Sequence, residues 1–488
     1  MASFLKKILF ALIFLSTLST ALHCQESRSG PSSAASLPSD AEIRSILADR
    51  IDVQKRSVGM VVGLIEPTGR RVISYGRLDQ GDPRPLDGDT IFEIGSNTKL
   101  FTALLFSDMV QHGEVALDDP VTKYLPPAVR APERNGRSIE LIDLATQTSG
   151  LPFMPTNLSP ADMDNPYADY SVEQSNQFLS TYKLTRDIGS DYQYSNIGFG
   201  LLGQALARRA GVNYESLVIS RISDPLAMTS TAITLTPEMK TRLAVGHDSA
   251  LNPVGNMDLS PAFAGTGALR STANDLLNFL AGYLGYTDTV LAPAMKATLT
   301  TRRPRHGPGE AVGMAWLMSS NNGTEIAWFA GGTLGYTSFV GFDAKRGVGV
   351  VTLSNSFQMI GVATDIGRHL LDPSYPLASP PKEYKQIAID TEEFDKYVGL
   401  YQLTPDISVA VTRSDNRFFA QLTGRSKVEM FPESIRDFFS KNPNVEVTFL
   451  TDGSGRATGL VVHQDGSDHV ANRMGEPTAI PEGQAHNQ

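Results

Sequence analysis

Ser96 and Lys99 stand three residues apart in Ser96-Asn97-Thr98-Lys99, and on a helix that spacing puts hydroxyl and amine on one face. A serine hydroxyl is a poor nucleophile until a neighbouring base takes its proton, and a lysine withdrawn from water has its pKa lowered toward that task. Placed at a helix N-terminus, Ser96 also meets backbone N–H groups and a dipole that favour developing negative charge. The pattern is common, however: Ser3/Lys6, Ser180/Lys183 and Ser379/Lys382 repeat it, and alone it equally describes an N-capping serine beside a solvated charge. Of these serines, only Ser96 opens a helix. A second motif, Tyr194-Ser195-Asn196, sits in a polar turn before the apolar helix Ile197 to Leu206. A tyrosine oxygen beside Ser96 and Lys99 can shuttle a proton to a leaving group, and an asparagine can bind a substrate amide; the other reading is a helix start with an asparagine cap. The two motifs in this order are more specific than either alone.

Four segments together carry a family resemblance: Ile94-Gly95-Ser96-Asn97-Thr98-Lys99, Leu144-Ala145-Thr146-Gln147-Thr148-Ser149-Gly150-Leu151-Pro152, Tyr194-Ser195-Asn196 and Gly331-Gly332-Thr333-Leu334-Gly335-Tyr336. Over roughly residues 40–372 the chain resembles the serine β-lactamase and penicillin-binding protein superfamily, in its class C β-lactamase-like branch with the AmpC and AmpH-type D-alanyl-D-alanine carboxypeptidase/endopeptidases. The resemblance implies that Ser96 is acylated, that Lys99 is its proton acceptor or electrostatic partner, and that Tyr194 is the acid or base serving deacylation and the leaving group. It implies further that Asn196 positions the substrate amide, and that the backbone N–H groups of Ser96 and Gly332 form an oxyanion hole. It implies no cofactor, and as partner a small-molecule or peptidoglycan-peptide substrate.

The chain departs from the family pattern where Lys-Thr-Gly or His-x-Gly is usual on a sheet-edge strand, because Phe329-Ala330-Gly331 stands there. Phenylalanine offers no charge to a substrate carboxylate, and losing a charge-assisted hydrogen bond weakens recognition by about 1.5–3 kcal/mol. The usual His-Thr-Ser-Gly-Leu-Pro segment begins instead with Gln147, in a stretch expected to turn the chain rather than react. Asn355, in Leu353-Ser354-Asn355, is a further candidate to reach a substrate carboxylate, or else a capping residue. Trp316 and Trp328 are expected in the sheet core rather than stacked on substrate. The 8 histidines show no metal-ligand spacing, and no metal site is expected. Gly331-Gly332-x-x-Gly335 precedes a strand, which argues against a phosphate loop.

Apolar spacing predicts the elements that must hold these groups. A helix opens at Ser39, strands at 58–65 and 71–75 flank the turn Pro67-Thr68-Gly69, and helices follow over 96–112, 171–183, 197–210 and 272–284. Short strands are expected at 312–319, 324–329, 336–342 and 347–354. Strands, a mainly helical middle and strands again make an α+β domain: an antiparallel sheet flanked by helices with a helical subdomain, β-lactamase/transpeptidase-like. Beyond Asp372-Pro373 and Ser379-Pro380-Pro381 the period becomes that of strands, giving a small antiparallel β domain. The expected organisation is a signal peptide over 1–25, a tether over 26–38, the hydrolase domain over 39–372, a linker over 373–389, the β domain over 390–476 and a disordered tail over 477–488.

Lys6 and Lys7 before the apolar run Ile8 to Leu22 read as a secretory signal, too short and too soon polar for a lasting membrane span. His23 before Cys24, where a lipoprotein signal wants a small residue, makes lipidation the minor reading. Export follows, to periplasm or medium. Among 488 residues, 42 basic against 52 acidic side chains leave a charge of −10, a poor match to nucleic acid, and one cysteine excludes a disulfide framework. Two functions remain in view: a serine hydrolase acting on D-Ala-D-Ala peptides, β-lactams or esters, or a catalytically weak peptidoglycan- or β-lactam-binding protein in which Phe329 has removed turnover. Within the first, Phe329 favours an esterase-like preference.

Overall fold

The computed structural model describes residues 37–476 apart from 163, 306–308, 322, 359–361, 379–383, 405–406, 423–426, 442–443 and 465–466. The expected signal peptide, Cys24, nearly all of the tether, the tail and the Ser379/Lys382 pair lie outside the described residues.

Helix α1 (Asp40–Ala48) opens with Ser39 and Glu42 capping each other's backbone, and buries Ile43 and Leu47. Strands β1 (Gly59–Glu66) and β2 (Gly69–Asp79) form the expected hairpin, turned at Gly69, whose φ of +138° suits glycine. With β3 (Asp82–Pro85), β4 (Arg303–Pro304), β5 (Glu310–Val312), β6 (Leu317–Asn321), β7 (Thr324–Gly332), β8 (Thr337–Asp343) and β9 (Val348–Ser354) they build one antiparallel sheet in the order β4-β5-β6-β7-β8-β9-β1-β2-β3. Strands from both ends of the segment therefore meet at the β9–β1 pair. The single strand expected at 312–319 is two: at Met314 and Ala315 the N–H groups bond to Thr298 and Ala145 instead of a ladder neighbour, and Ala315 takes φ +63°.

The helical middle includes α2 (Thr98–Gln111), α3 (Val172–Thr181), α4 (Asn196–Ala210), the single turn α5 (Ala264–Gly267) and α6 (Ala273–Tyr283). Helix α2 is apolar around its circumference, and it is buried from Thr98 to Met109 as such a helix must be. Trp316 and Trp328 pack in the sheet core as expected; Trp316 meets Tyr283 and Phe342, and Trp328 donates to Ser319 Oγ at 2.9 Å. Helix α7 (Val362–Leu371) packs on β8 and β9.

After α8 (Thr391–Tyr397), eight strands close an antiparallel barrel: β10 (Gly399–Thr404), β11 (Ile407–Ser414), β12 (Arg417–Leu422), β13 (Val428–Pro432), β14 (Asp437–Lys441), β15 (Asn444–Thr451), β16 (Ala457–Gln464) and β17 (Ser467–Gly475). Closure removes the exposed edges that an open sheet of this kind would present. Its own core gathers Tyr397, Tyr401, Phe418, Phe438 and Phe449 and shares no residue with the core of the larger domain. Among the described residues no helix is long and apolar enough to cross a membrane.

Candidate active site

The turn bearing Ser96 is a 3₁₀ segment, Gly95–Asn97, running directly into α2, so Lys99 lies on the first turn of that helix. Lys99 is fully buried, and its Nζ lies 3.0 Å from Ser96 Oγ, 2.9 Å from Asn196 Oδ1 and 2.8 Å from the carbonyl oxygen of Thr266 in α5. None of these partners is a carboxylate. Burial alone therefore acts on the amine and pushes its pKa well below the ordinary lysine value. Ser96 Oγ also meets Tyr194 Oη at 2.5 Å. Burial pushes the Tyr194 hydroxyl far above the usual tyrosine value and Tyr192 adds to the rise, while the bond to Ser96 opposes it. The Lys99 nitrogen stands 4.8 Å from the Tyr194 ring centre, over its face.

Tyr194 and Asn196 are presented by the N-terminus of α4. Ser195 is the cap: its Oγ accepts from Gly198 N at 3.0 Å and donates to Pro152 O at 2.7 Å, while Asn196 N donates to Phe153 O at 2.9 Å. Gln147, at φ +57°, does turn the chain, and it also does something the sequence did not reveal. Its Oε1 accepts from Ser195 N at 2.8 Å and its carbonyl accepts from Gln193 N at 2.8 Å, so one residue holds both sides of Tyr194.

Strand β7 closes the opposite side. A Cβ on Gly331 would lie 2.1 Å from Ile94 O and 2.9 Å from Ser96 N, and one on Gly95, at φ +48°, would lie 2.8 Å from Gly332 N. Two glycines on the strand and one before the serine thus let backbone meet backbone where a side chain has no room. Ser338 ties the same junction, donating to Ile94 O at 2.7 Å and accepting from Asn97 Nδ2 at 2.8 Å. Phe329 is buried and nearly parallel to the Tyr194 ring, centres 6.5 Å apart, and Phe153 meets that ring at 5.9 Å. An aromatic wall stands where the family pattern has a cation.

Ser96, Lys99, Tyr194, Asn196, Phe329, Gly331 and Gly332 are thus gathered in one place. Asn355 is a correction. It is fully buried, its Oδ1 accepts from Gly59 N at 2.7 Å, and its Nδ2 donates to Arg77 O at 3.2 Å and Leu78 O at 3.0 Å, so its amide is spent on joining β9 to β1 and β2 and none of it faces a substrate. Residues that sequence reasoning missed are Thr266, whose backbone carbonyl serves Lys99, Met154, whose sulfur accepts from Asn196 Nδ2 at 3.5 Å, Phe153 and Gln147. A backbone carbonyl leaves no mark on residue type, whereas Gln147 lies within a motif already noticed and Phe153 directly follows it. Among the described residues no group of side chains could hold a metal ion.

The family described as Beta-lactamase matches residues 41–372, more than half of the chain. The chain belongs to the beta-lactamase family. As a serine hydrolase of that family, it is similar to the D-alanyl-D-alanine-carboxypeptidase/endopeptidase AmpH of Escherichia coli (strain K12), with 30% identity over 367 residues, 72% of this chain and 92% of that protein. It is also similar to penicillin-binding protein 4* of Bacillus subtilis (strain 168), with 26% identity over 82% of this chain and 91% of that one. Among solved structures, the β-lactamase/D-alanine carboxypeptidase from Yersinia pestis superimposes with a TM-score of 0.57 at 26% identity, covering 66% of this β-lactamase-family chain and 93% of the other. A class C β-lactamase at 21% identity and TM-score 0.59, covering 68% and 96% of the two chains, shows the fold alone. Residues 383–475, the barrel with the segment before it, match a domain of unknown function (DUF3471).

Proposed function

We propose that the chain hydrolyses acyl bonds through a covalent Ser96 ester, with Lys99 taking the serine proton and Tyr194 supplying the leaving group with one. The observation that carries this reading is the set of partners around Lys99 Nζ. Thr266 O can only accept, and Asn196 Oδ1 can only accept, so they take two N–H groups. Ser96 is the remaining partner at 3.0 Å, the one that can donate to the lone pair of the neutral amine, the form that burial favours. Tyr194, held protonated by its raised pKa, is suited to be the acid that serves the leaving group in acylation.

Attack of Oγ on the acyl carbon sends the serine proton to Lys99. Collapse breaks the bond to the leaving atom, which takes the Tyr194 proton, and Lys99 returns its proton to the tyrosine oxygen. Water then cleaves the ester along the same route in reverse. The backbone N–H groups of Ser96 and Gly332 are the assigned oxyanion donors, and Asn196 the assigned contact to the acyl-side amide.

Phe329 bears on the substrate. A buried aromatic ring against Tyr194 suits a group that is neutral beside the scissile bond, such as an ester or an internal peptide bond, better than one bearing a carboxylate there. Two lysines ahead of an apolar run support export, with residues 1–25 as the leader and action on peptidoglycan peptides, β-lactams or related esters. The test is a panel of a neutral aryl ester, a penicillin and a D-Ala-D-Ala peptide, assayed on wild type and Phe329→His. Efficient release of product by wild type removes the alternative of a binding-only protein. Phe329→His is expected to raise kcat/KM on the carboxylate-bearing pair about tenfold or more relative to the ester; an equal change on all substrates contradicts the assignment of Phe329.

A further inference from the structure

Beside Tyr194 an open depression of about 520 Å³ is lined by Thr185, Arg186, Asp191, Tyr192, Gln193 and Tyr194. Two opposite charges face this space. Among the described residues neither has an ion-pair partner: Arg186 donates to Gln193 Oε1, and Asp191 accepts from Ser190 Oγ at 3.0 Å. A cation and an anion left apart on one short loop, each with hydrogen-bonding capacity unspent, are complementary to a dipolar ligand. The loop is not loose: Gln193 N is tied to Gln147 O at 2.8 Å, Gly189 N to Thr148 O at 2.7 Å, and the Arg305 guanidinium packs over the Tyr192 ring at 5.5 Å.

Tyr194 is the group that gives its proton to the departing atom in the mechanism above, so the depression it lines lies on the departing side. Next to the bond itself stands the Phe329 ring, which suits an uncharged stem. We propose that this depression is the leaving-group subsite and that it selects an amine with an apolar stem and a zwitterionic end, its carboxylate on Arg186 and its ammonium on Asp191. The proposal rests on the Ser96 acyl-enzyme reading, and deepens it by naming the chemistry of the departing half.

Because a leaving-group subsite also receives an attacking amine, acyl transfer tests it. The full chain is acylated with a neutral aryl ester in the presence of lysine, lysinamide, Nα-acetyl-lysine or n-pentylamine, and the products are separated by mass. In transfer the amine nitrogen attacks the ester carbon, the bond to Ser96 Oγ breaks, and the amine proton passes through Tyr194 to the serine oxygen. The ratio of amide to acid is internal to each variant, so a general loss of activity does not alter it. Lysine is expected to capture the acyl group about tenfold or more better than n-pentylamine. Arg186→Gln should bring Nα-acetyl-lysine down to n-pentylamine, with Arg186→Lys restoring part of the difference, and Asp191→Asn should bring lysine down to Nα-acetyl-lysine. Equal capture of the four amines by wild type, acid as sole product with every amine, or a preference that survives both substitutions overturns the subsite while leaving the acyl-enzyme intact. Absence of any acyl-enzyme from the ester overturns both.

Discussion

At the scale of single residues, the chemistry turns on an amine whose pKa burial lowers. Lys99 must be neutral to accept the Ser96 proton, so kcat/KM falls as pH is lowered through its pKa, and burial moves that acid limb well below the ordinary value of 10.5. Arginine cannot lose its proton in this range. Lys99→Arg is therefore expected to lower kcat about 10²–10⁴-fold and to erase the limb, as a pH profile on a neutral ester would show; an unshifted limb in the variant would contradict the role of Lys99. The residue types of this centre were legible, because Ser96/Lys99 and Tyr194/Asn196 restrict each other. Their environment was not. Thr266 reaches Lys99 through its carbonyl oxygen, which any residue type carries, and the burial that sets the direction of the pKa shift depends on which chain segments surround α2.

At the scale of elements, most helices and strands follow from apolar period and caps, as Ser39 before α1 and Thr272 before α6 illustrate. The misread stretch at 312–319 and the misread Asn355 share a cause: long-range backbone partners. Met314 and Ala315 bond to Thr298 and Ala145, and Asn355 bonds to Gly59, Arg77 and Leu78, none of them near in sequence to the misread residue. Asn355→Ala leaves the buried Gly59 N–H, the buried Leu78 carbonyl and the part-buried Arg77 carbonyl without it, and is expected to cost about 2–4 kcal/mol of stability. Denaturant unfolding would read that loss, while KM on carboxylate-bearing substrates stays unchanged. A raised KM at undiminished stability would return Asn355 to the substrate site.

At the scale of the whole molecule, two cores that share no residue lie in one chain, one formed by the sheet and helices and the other by the barrel. The change of period after residue 390 made the β domain legible; its closure into a barrel was not, because closure depends on β10 pairing with β17 across the length of the domain. Aromatic side chains fill the barrel: Phe449 stacks on Tyr397 at 4.6 Å and meets Phe438 at 5.4 Å. Phe449→Ala is expected to cost about 3–5 kcal/mol in the unfolding of the barrel. With no residue of the Ser96 cluster in the barrel core, the acylation rate should not change; a parallel loss would mean that the barrel supports the cleft. The most direct measurement is intact mass of the full chain after exposure to a neutral aryl ester or a penicillin, for wild type and Ser96→Ala. Expected is one acyl adduct on wild type, mapping to the peptide that contains Ser96, and none on the variant; equal labelling of the two would contradict catalysis through Ser96.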